Sequence, residues 1–172
     1  METDKKLVFV SVPMKGRTNK SIENSIELTK NQYLHIKGID AKDVKFIDGY
    51  HDVYQRLDAE GRKFVNRIKH TALFYLGHAI ELMSGADEIV LGHCYDRARG
   101  CRIEAQVAYE YDIPMIKITK EMELKILYEM REEKKQMVKE LKEKEGLSIK
   151  QIAERTKISE KTITKWFEEF ME

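Results

Sequence analysis

The sequence predicts an α/β fold, an open parallel sheet followed by a small all-α C-terminal segment. Three observations predict it. From Asp87 to Ile118 an apolar strand (Glu88 to Gly92), a charged loop, an amphipathic helix and a second strand beginning at Pro114 follow one another. That succession, within about thirty residues, is the length of a parallel crossover unit. Near the N-terminus, Leu7 to Val12 is a short apolar, β-branched run, followed by a glycine-bearing loop and a helix. Beyond Thr119 the composition becomes dense in charge and reads as helix.

Length and composition fit one compact domain of ordinary size with an appendage. The 31 basic and 30 acidic side chains leave a net charge of +1, so the whole chain exerts no general pull on nucleic acid or anionic membrane. No segment is long and apolar enough to span a bilayer, and the N-terminus reads without a signal peptide. The expectation is a cytoplasmic protein with no membrane partner, in which Cys94 and Cys101 are reduced thiols. Zinc held by His93, Cys94 and Cys101 would lack a second ligand pair at metal spacing, so neither a metal nor a cofactor is expected.

Taken in order, the first strand ends at Pro13, and Met14 to Thr18 forms a loop with Lys15, Gly16 and Arg17. Thr18 caps a helix from Asn19 to about Lys37, whose Ile22, Ile26, Leu28 and Tyr33 keep helical spacing, and Gly38 suits the position past its end. Strand, basic glycine loop and helix N-terminus together can bind an anion, or the loop is a solvated turn. It is not a Walker loop, because the GxxxxGK[ST] spacing is absent.

Val44 to Ile47 is the second strand; after it, Tyr50 and His51 are placed to stack on or hydrogen-bond a base, or to pack. Gly61 to Ser84 reads as mostly helical, with Leu73, Leu76, Ile80 and Met83 on one face and His70 and His78 at the surface. In the helix after the charged loop, Ile103, Val107 and Tyr111 suit a buried face. Glu104 lies on its flank and in the first turn, where a carboxylate meets unpaired amides and the positive end of the helix dipole.

Arg99-Gly100-Cys101-Arg102-Ile103-Glu104, with Ala86-Asp87 before it and Ala108 and Ile113-Pro114 after, resembles the nucleoside 2-deoxyribosyltransferase-like superfamily. The run Phe9-Val10-Ser11-Val12-Pro13-Met14-Lys15-Gly16 is similar to the N-terminal element of its small phage and bacterial members. The resemblance covers roughly residues 5 to 119 and implies a Rossmann- or flavodoxin-like sheet with ligand at the strand carboxyl ends. It also implies that Glu104 is a nucleophile toward the anomeric carbon of a nucleoside or nucleotide, and that Gly100 lets backbone amides approach phosphate or sugar. Three positions depart from the pattern: Ala98 replaces a serine, Val12 a glycine, and Ala79 the acid that assists the leaving base in many relatives. An acid of that kind contributes about a hundredfold or more. Asp87 or Asp96 is the candidate to supply it or to orient the sugar; Pro13, Met14, Lys15, Gly16, Arg17, Arg97 and Arg99 are candidate ligand contacts. Site sharing in such relatives leads to the expectation of a homo-oligomer, a dimer or larger.

Lys120 to Glu145 reads as one long connecting or dimerising helix with a seam of Leu127, Met130, Met137 and Leu141, interrupted by Lys134. Residues 146–172 form a further unit. Ser148-Ile149-Lys150-Gln151 is a capping box opening a helix to about Thr156, and Ser159 caps another from Glu160 to Phe170. The apolar positions Ile149, Ile152, Ala153, Ile158, Ile163 and Trp166 resemble a helix-turn-helix, with Lys157 where glycine is usual in the turn. Lys161, Thr162, Thr164 and Lys165 are placed to face a major groove. Ten Lys/Arg against ten Asp/Glu over 132–172 leave that segment neutral, so DNA and protein partners both fit.

Three functions follow as expectations: cleavage or transfer at an N-glycosidic bond through Glu104; a nucleotide-binding sponge or sensor, for instance of an ADP-ribose-derived signal, without turnover; or a ligand-responsive DNA-binding regulator. Fold analogy does not choose among them.

Overall fold

The computed structural model describes residues 5–54 and 57–171. Strands β1 (Lys6–Ser11), β2 (Val44–Asp48), β3 (Glu88–Leu91) and β4 (Met115–Lys117) form one parallel sheet in the order β2-β1-β3-β4. Four helices accompany it: α1 (Asn19–Lys37), α2 (Ala59–Val65), α3 (Thr71–Met83) and α4 (Arg99–Glu110). In register, Val10 of β1 stands opposite Asp48 of β2, and Ser11 opposite Leu91 of β3.

The strands read as nearly unbroken apolar runs because both faces of the sheet are covered. Val8, Val10, Val44 and Val90 pack with Ile22, Ile26 and Tyr33 of α1. The alternate residues Phe9, Ile47, Ile89 and Leu91 pack with Ala79 and Met83 of α3 and Ala108 of α4. This is the two-residue period of a strand. Local signals set the ends of α1: Thr18 accepts from the Ser21 N–H at 3.3 Å, and Gly38 closes the helix at φ 62°. Gly92 permits the close approach of α1 to the end of β3, since a Cβ there would stand 2.7 Å from Thr29 Oγ1 and 3.0 Å from Val12 Cγ1.

The stretch Gly61 to Ser84, expected to be mostly helical, forms two helices with a break between Val65 and Thr71. A straight helix of that span would be about 36 Å long, against about 20 Å for the six-residue β1, the longest strand. The break lets Val65 and Met83 both turn inward, while Leu73, expected on one face with Met83, is 64% exposed.

The chain divides into two units, Met1–Glu123 and Leu124–Glu172, with the boundary inside α5 (Lys120–Glu143). The second unit continues with α6 (Ile149–Thr156) and α7 (Glu160–Met171). Its core joins Val138 and Leu141 of α5, Ile152 of α6 and Ile163 and Trp166 of α7. The seam expected on α5 is therefore turned: Leu127 and Met137 are exposed, Val138 takes the inward place, and Lys134 faces solvent. The phase follows α6 and α7, which cover this part of α5 within the chain. The Ser148–Gln151 capping box forms in both directions, at 2.9 and 3.3 Å. Lys157 adopts φ 61°, the left-handed position where glycine is usual. Among the described residues, no helix is long and apolar enough to cross a membrane.

Candidate functional site

In a parallel sheet all the loops after the strands leave from one edge. Here the chain runs from β1 to β2 on one side and to β3 on the other, and the crevice at which open α/β sheets take ligands corresponds to the carboxyl ends of β1 and β3. Ser11 ends β1 at that crevice, and its hydroxyl donates to Glu104 Oε2 at 2.5 Å. Both residues are buried, Glu104 to 6% exposure. Burial pushes the Glu104 carboxyl above its usual range, and the Ser11 hydrogen bond offsets this only in part. On the same helix face, burial and then the Glu104 charge push the Cys101 thiol up to about 12. Both cysteines are free thiols.

This arrangement corrects the expected face of α4. Cys101, Glu104 and Ala108 point inward, whereas Ile103 is 36% and Tyr111 76% exposed. Small side chains line the contact because α4 lies close on β3. Glu104 sits in the second turn of α4, not the first, so Ser11 rather than the helix amides is its partner.

The remaining candidates divide by place. Asp87 precedes β3, and its carboxylate accepts from the Leu7 N–H at 2.7 Å, at the amino edge of the sheet. Four residue steps along β1 separate that level from Ser11, about 13 Å, so Asp87 is not part of the crevice. Asp96 and Arg97 lie at the correct edge, exposed in the turn after β3, and Arg99 opens α4, also exposed. Gly100 lies in the first turn of α4 with open space where a Cβ would point. In the β1 loop, Pro13 and Met14 are half-buried and Lys15 and Gly16 exposed. Arg17 is engaged by its own helix, donating to Pro13 O, Ser21 and Ser25 Oγ. Tyr50, expected to meet a base, is 3% exposed and belongs to the core with Met14, which removes it from ligand contact. His51 remains accessible, its ring held by the buried Asp48 at 2.9 Å. Among the described residues, no cluster of His, Cys, Asp and Glu is arranged to hold a metal ion.

In the second unit Lys157, Ile158 and Ser159 link α6 to α7, and Ser159 Oγ accepts from the Thr162 N–H at 3.2 Å. Lys161, Thr164 and Lys165 are exposed on α7; Thr162 is half-buried, its hydroxyl 2.8 Å from Ser159 Oγ. Glu169, a candidate to repel phosphate, is turned toward α5, where it pairs with Lys135 at 2.7 Å and Arg131 at 3.4 Å. The Lys135 contact chiefly holds its carboxyl below the usual range. Glu168 is exposed, and Glu172 lies outside the described residues.

A profile of the homeodomain-like domain matches residues 130–172. Comparisons with curated proteins and with solved structures find no match. What these define is an α/β unit with a parallel sheet, followed by a helical segment similar to a homeodomain-like helix-turn-helix. The matched stretch takes in the second half of α5 together with α6 and α7.

Proposed function

We propose that the protein binds duplex DNA through its C-terminal helices and that its α/β unit takes a nucleoside- or nucleotide-type ligand as input. The observation that carries the first half is the homeodomain-like match over the three-helix core, with Lys161, Thr164 and Lys165 left on the outer side of α7. In this motif the second helix enters the major groove and presents its N-terminal residues to base edges. The segment is neutral overall, but Glu169 is drawn toward Lys135 and Arg131, and in the N-terminal half of α7 Lys161 and Lys165 outnumber Glu160. Selection of bound duplexes from a random pool tests this. Enrichment of one sequence by the full chain supports the reading, and a pool left unchanged at low salt contradicts it.

A second reading, turnover at an N-glycosidic bond, is favoured by the buried Ser11–Glu104 pair at the β1/β3 crevice and the open space over Gly100. The Glu104 carboxylate would attack the anomeric carbon, with Lys15, Arg97 or Arg99 on a phosphate. Because burial favours its neutral form, the nucleophile gains strength as pH rises through a pKa above the ordinary carboxylate range. Free base released from deoxynucleoside monophosphates, and lost in Glu104→Gln, supports turnover. A nucleotide that raises the melting temperature without releasing base marks a binder instead.

A further inference from the structure

We infer that His51, oriented by Asp48, is the proton-transfer group of the carboxyl-edge site and protonates the departing base when Glu104 attacks; this rests on the N-glycosidic reading. Asp48 ends β2 and is 3% exposed. Its Oδ1 accepts from the Tyr50 N–H at 2.9 Å and the His51 N–H at 2.7 Å, and its Oδ2 lies 2.9 Å from His51 Nδ1. A carboxylate only accepts, so Nδ1 carries the proton and Nε2 is the atom left to exchange one. The ring is 40% exposed.

The two backbone amides already satisfy Asp48 as a turn-former; the ring contact is additional and fixes one tautomer, as in sites where histidine moves protons. The backbone adds a second sign. Tyr50–Tyr54 forms a π-helical turn, a rare conformation that is frequent at functional sites. Asp52 Oδ2 accepts from the Asp48 N–H at 2.9 Å and steadies the turn's start.

Placement relative to Glu104 follows from the sheet. β2 neighbours β1, whose last residue Ser11 holds Glu104. The loops after the two strands touch: a Cβ on Gly49 would lie 3.8 Å from Met14 Cε. Asp48, in register with Val10, leans to the α1 face, whereas Glu104 meets Ser11 from α4, so ring and carboxyl approach the carboxyl edge from the two sides of the sheet beside the end of β1.

In the step itself a Glu104 oxygen bonds to the anomeric carbon as the carbon–nitrogen bond breaks. The bond's electron pair stays on the base nitrogen, which takes the proton from imidazolium Nε2. Neutral His51 then removes a proton from the water that hydrolyses the sugar–Glu104 ester, restoring carboxylate and imidazolium.

The test uses the full chain, deoxyguanosine monophosphate, and its 7-methyl form, whose base leaves without needing a proton. His51→Gln is expected to lower the single-turnover rate of base release from the unmodified nucleotide by about a hundredfold with nucleotide affinity kept. On the methylated nucleotide the same rate should stay within about threefold of wild type, a split that loss of a proton donor produces and a merely structural loss does not. In Asp48→Asn, nitrogen NMR of His51 should show the Nδ1–H tautomer give way to a mixture. Equal losses of that base-release rate on both nucleotides, or an unchanged rate in His51→Gln, overturn the role of His51 and leave Glu104 standing. Release of base from neither nucleotide by the wild-type protein overturns both.

Discussion

Ser11 at the end of β1 and Glu104 in the second turn of α4 share a hydrogen bond of 2.5 Å, which ties the centre of the sheet to a buried carboxyl. A scaffold gains nothing from a charge in that place. The folded state prefers the neutral form, because burial raises the carboxyl's pKa. A carboxyl whose folded pKa is raised leaves stability intact in acid and removes it as pH climbs from the unfolded value through the folded one. Glu104→Gln, which keeps an acceptor for Ser11, is therefore expected to match the wild type in acid and to melt higher at neutral pH. Thermal melts at several pH values check this.

The opposite sign holds at the amino edge. Glu88 is buried, yet Lys37, Lys6 and Tyr33, each at 2.7 Å, outweigh burial and hold its carboxyl below the usual range. Its contribution is present above the unfolded pKa and is lost as pH falls through the folded one. Glu88→Gln should cost about 2 kcal/mol at neutral pH, less than a fully buried pair because both lysines are a third or more exposed. Urea titration should show the gap narrow in acid.

Lys157 holds a left-handed conformation that suits glycine. Lys157→Gly is expected to stabilise the C-terminal unit by about 0.5–1 kcal/mol. Trp166, the only tryptophan, lies in that unit's core and reports its unfolding by fluorescence.

Ile152 is fully buried between α5 and α7. Ile152→Ala should cost about 2–4 kcal/mol in the same fluorescence assay. It should also weaken DNA binding without touching the outer face of α7.

What the sequence made legible was local. Thr18, Gly38, the Ser148–Gln151 box and Ser159 act within a few residues, and the helix ends they mark fall where the pattern places them. The alternation of Val8, Phe9 and Val10 likewise announces a strand covered on both faces. What stayed hidden depends on distant partners. Ile103/Val107/Tyr111 and Cys101/Glu104/Ala108 both keep helical spacing, and only the close approach of α4 to β3 selects the smaller set. Ser11 and Glu104 are 93 positions apart, so their pairing leaves no mark in local sequence. The Asp48–His51 contact spans only three positions, yet the π-helical turn beside it has no strong residue signature to announce it.

The most direct measurement is duplex affinity against salt for the full chain and for Lys161→Ala/Lys165→Ala. The account expects the slope of log affinity on log salt to fall by about 2 in the double variant, close to one per lost phosphate contact, with folding unchanged by Trp166 fluorescence. Equal affinity and an equal slope in the two proteins would contradict α7 as the DNA-contacting helix.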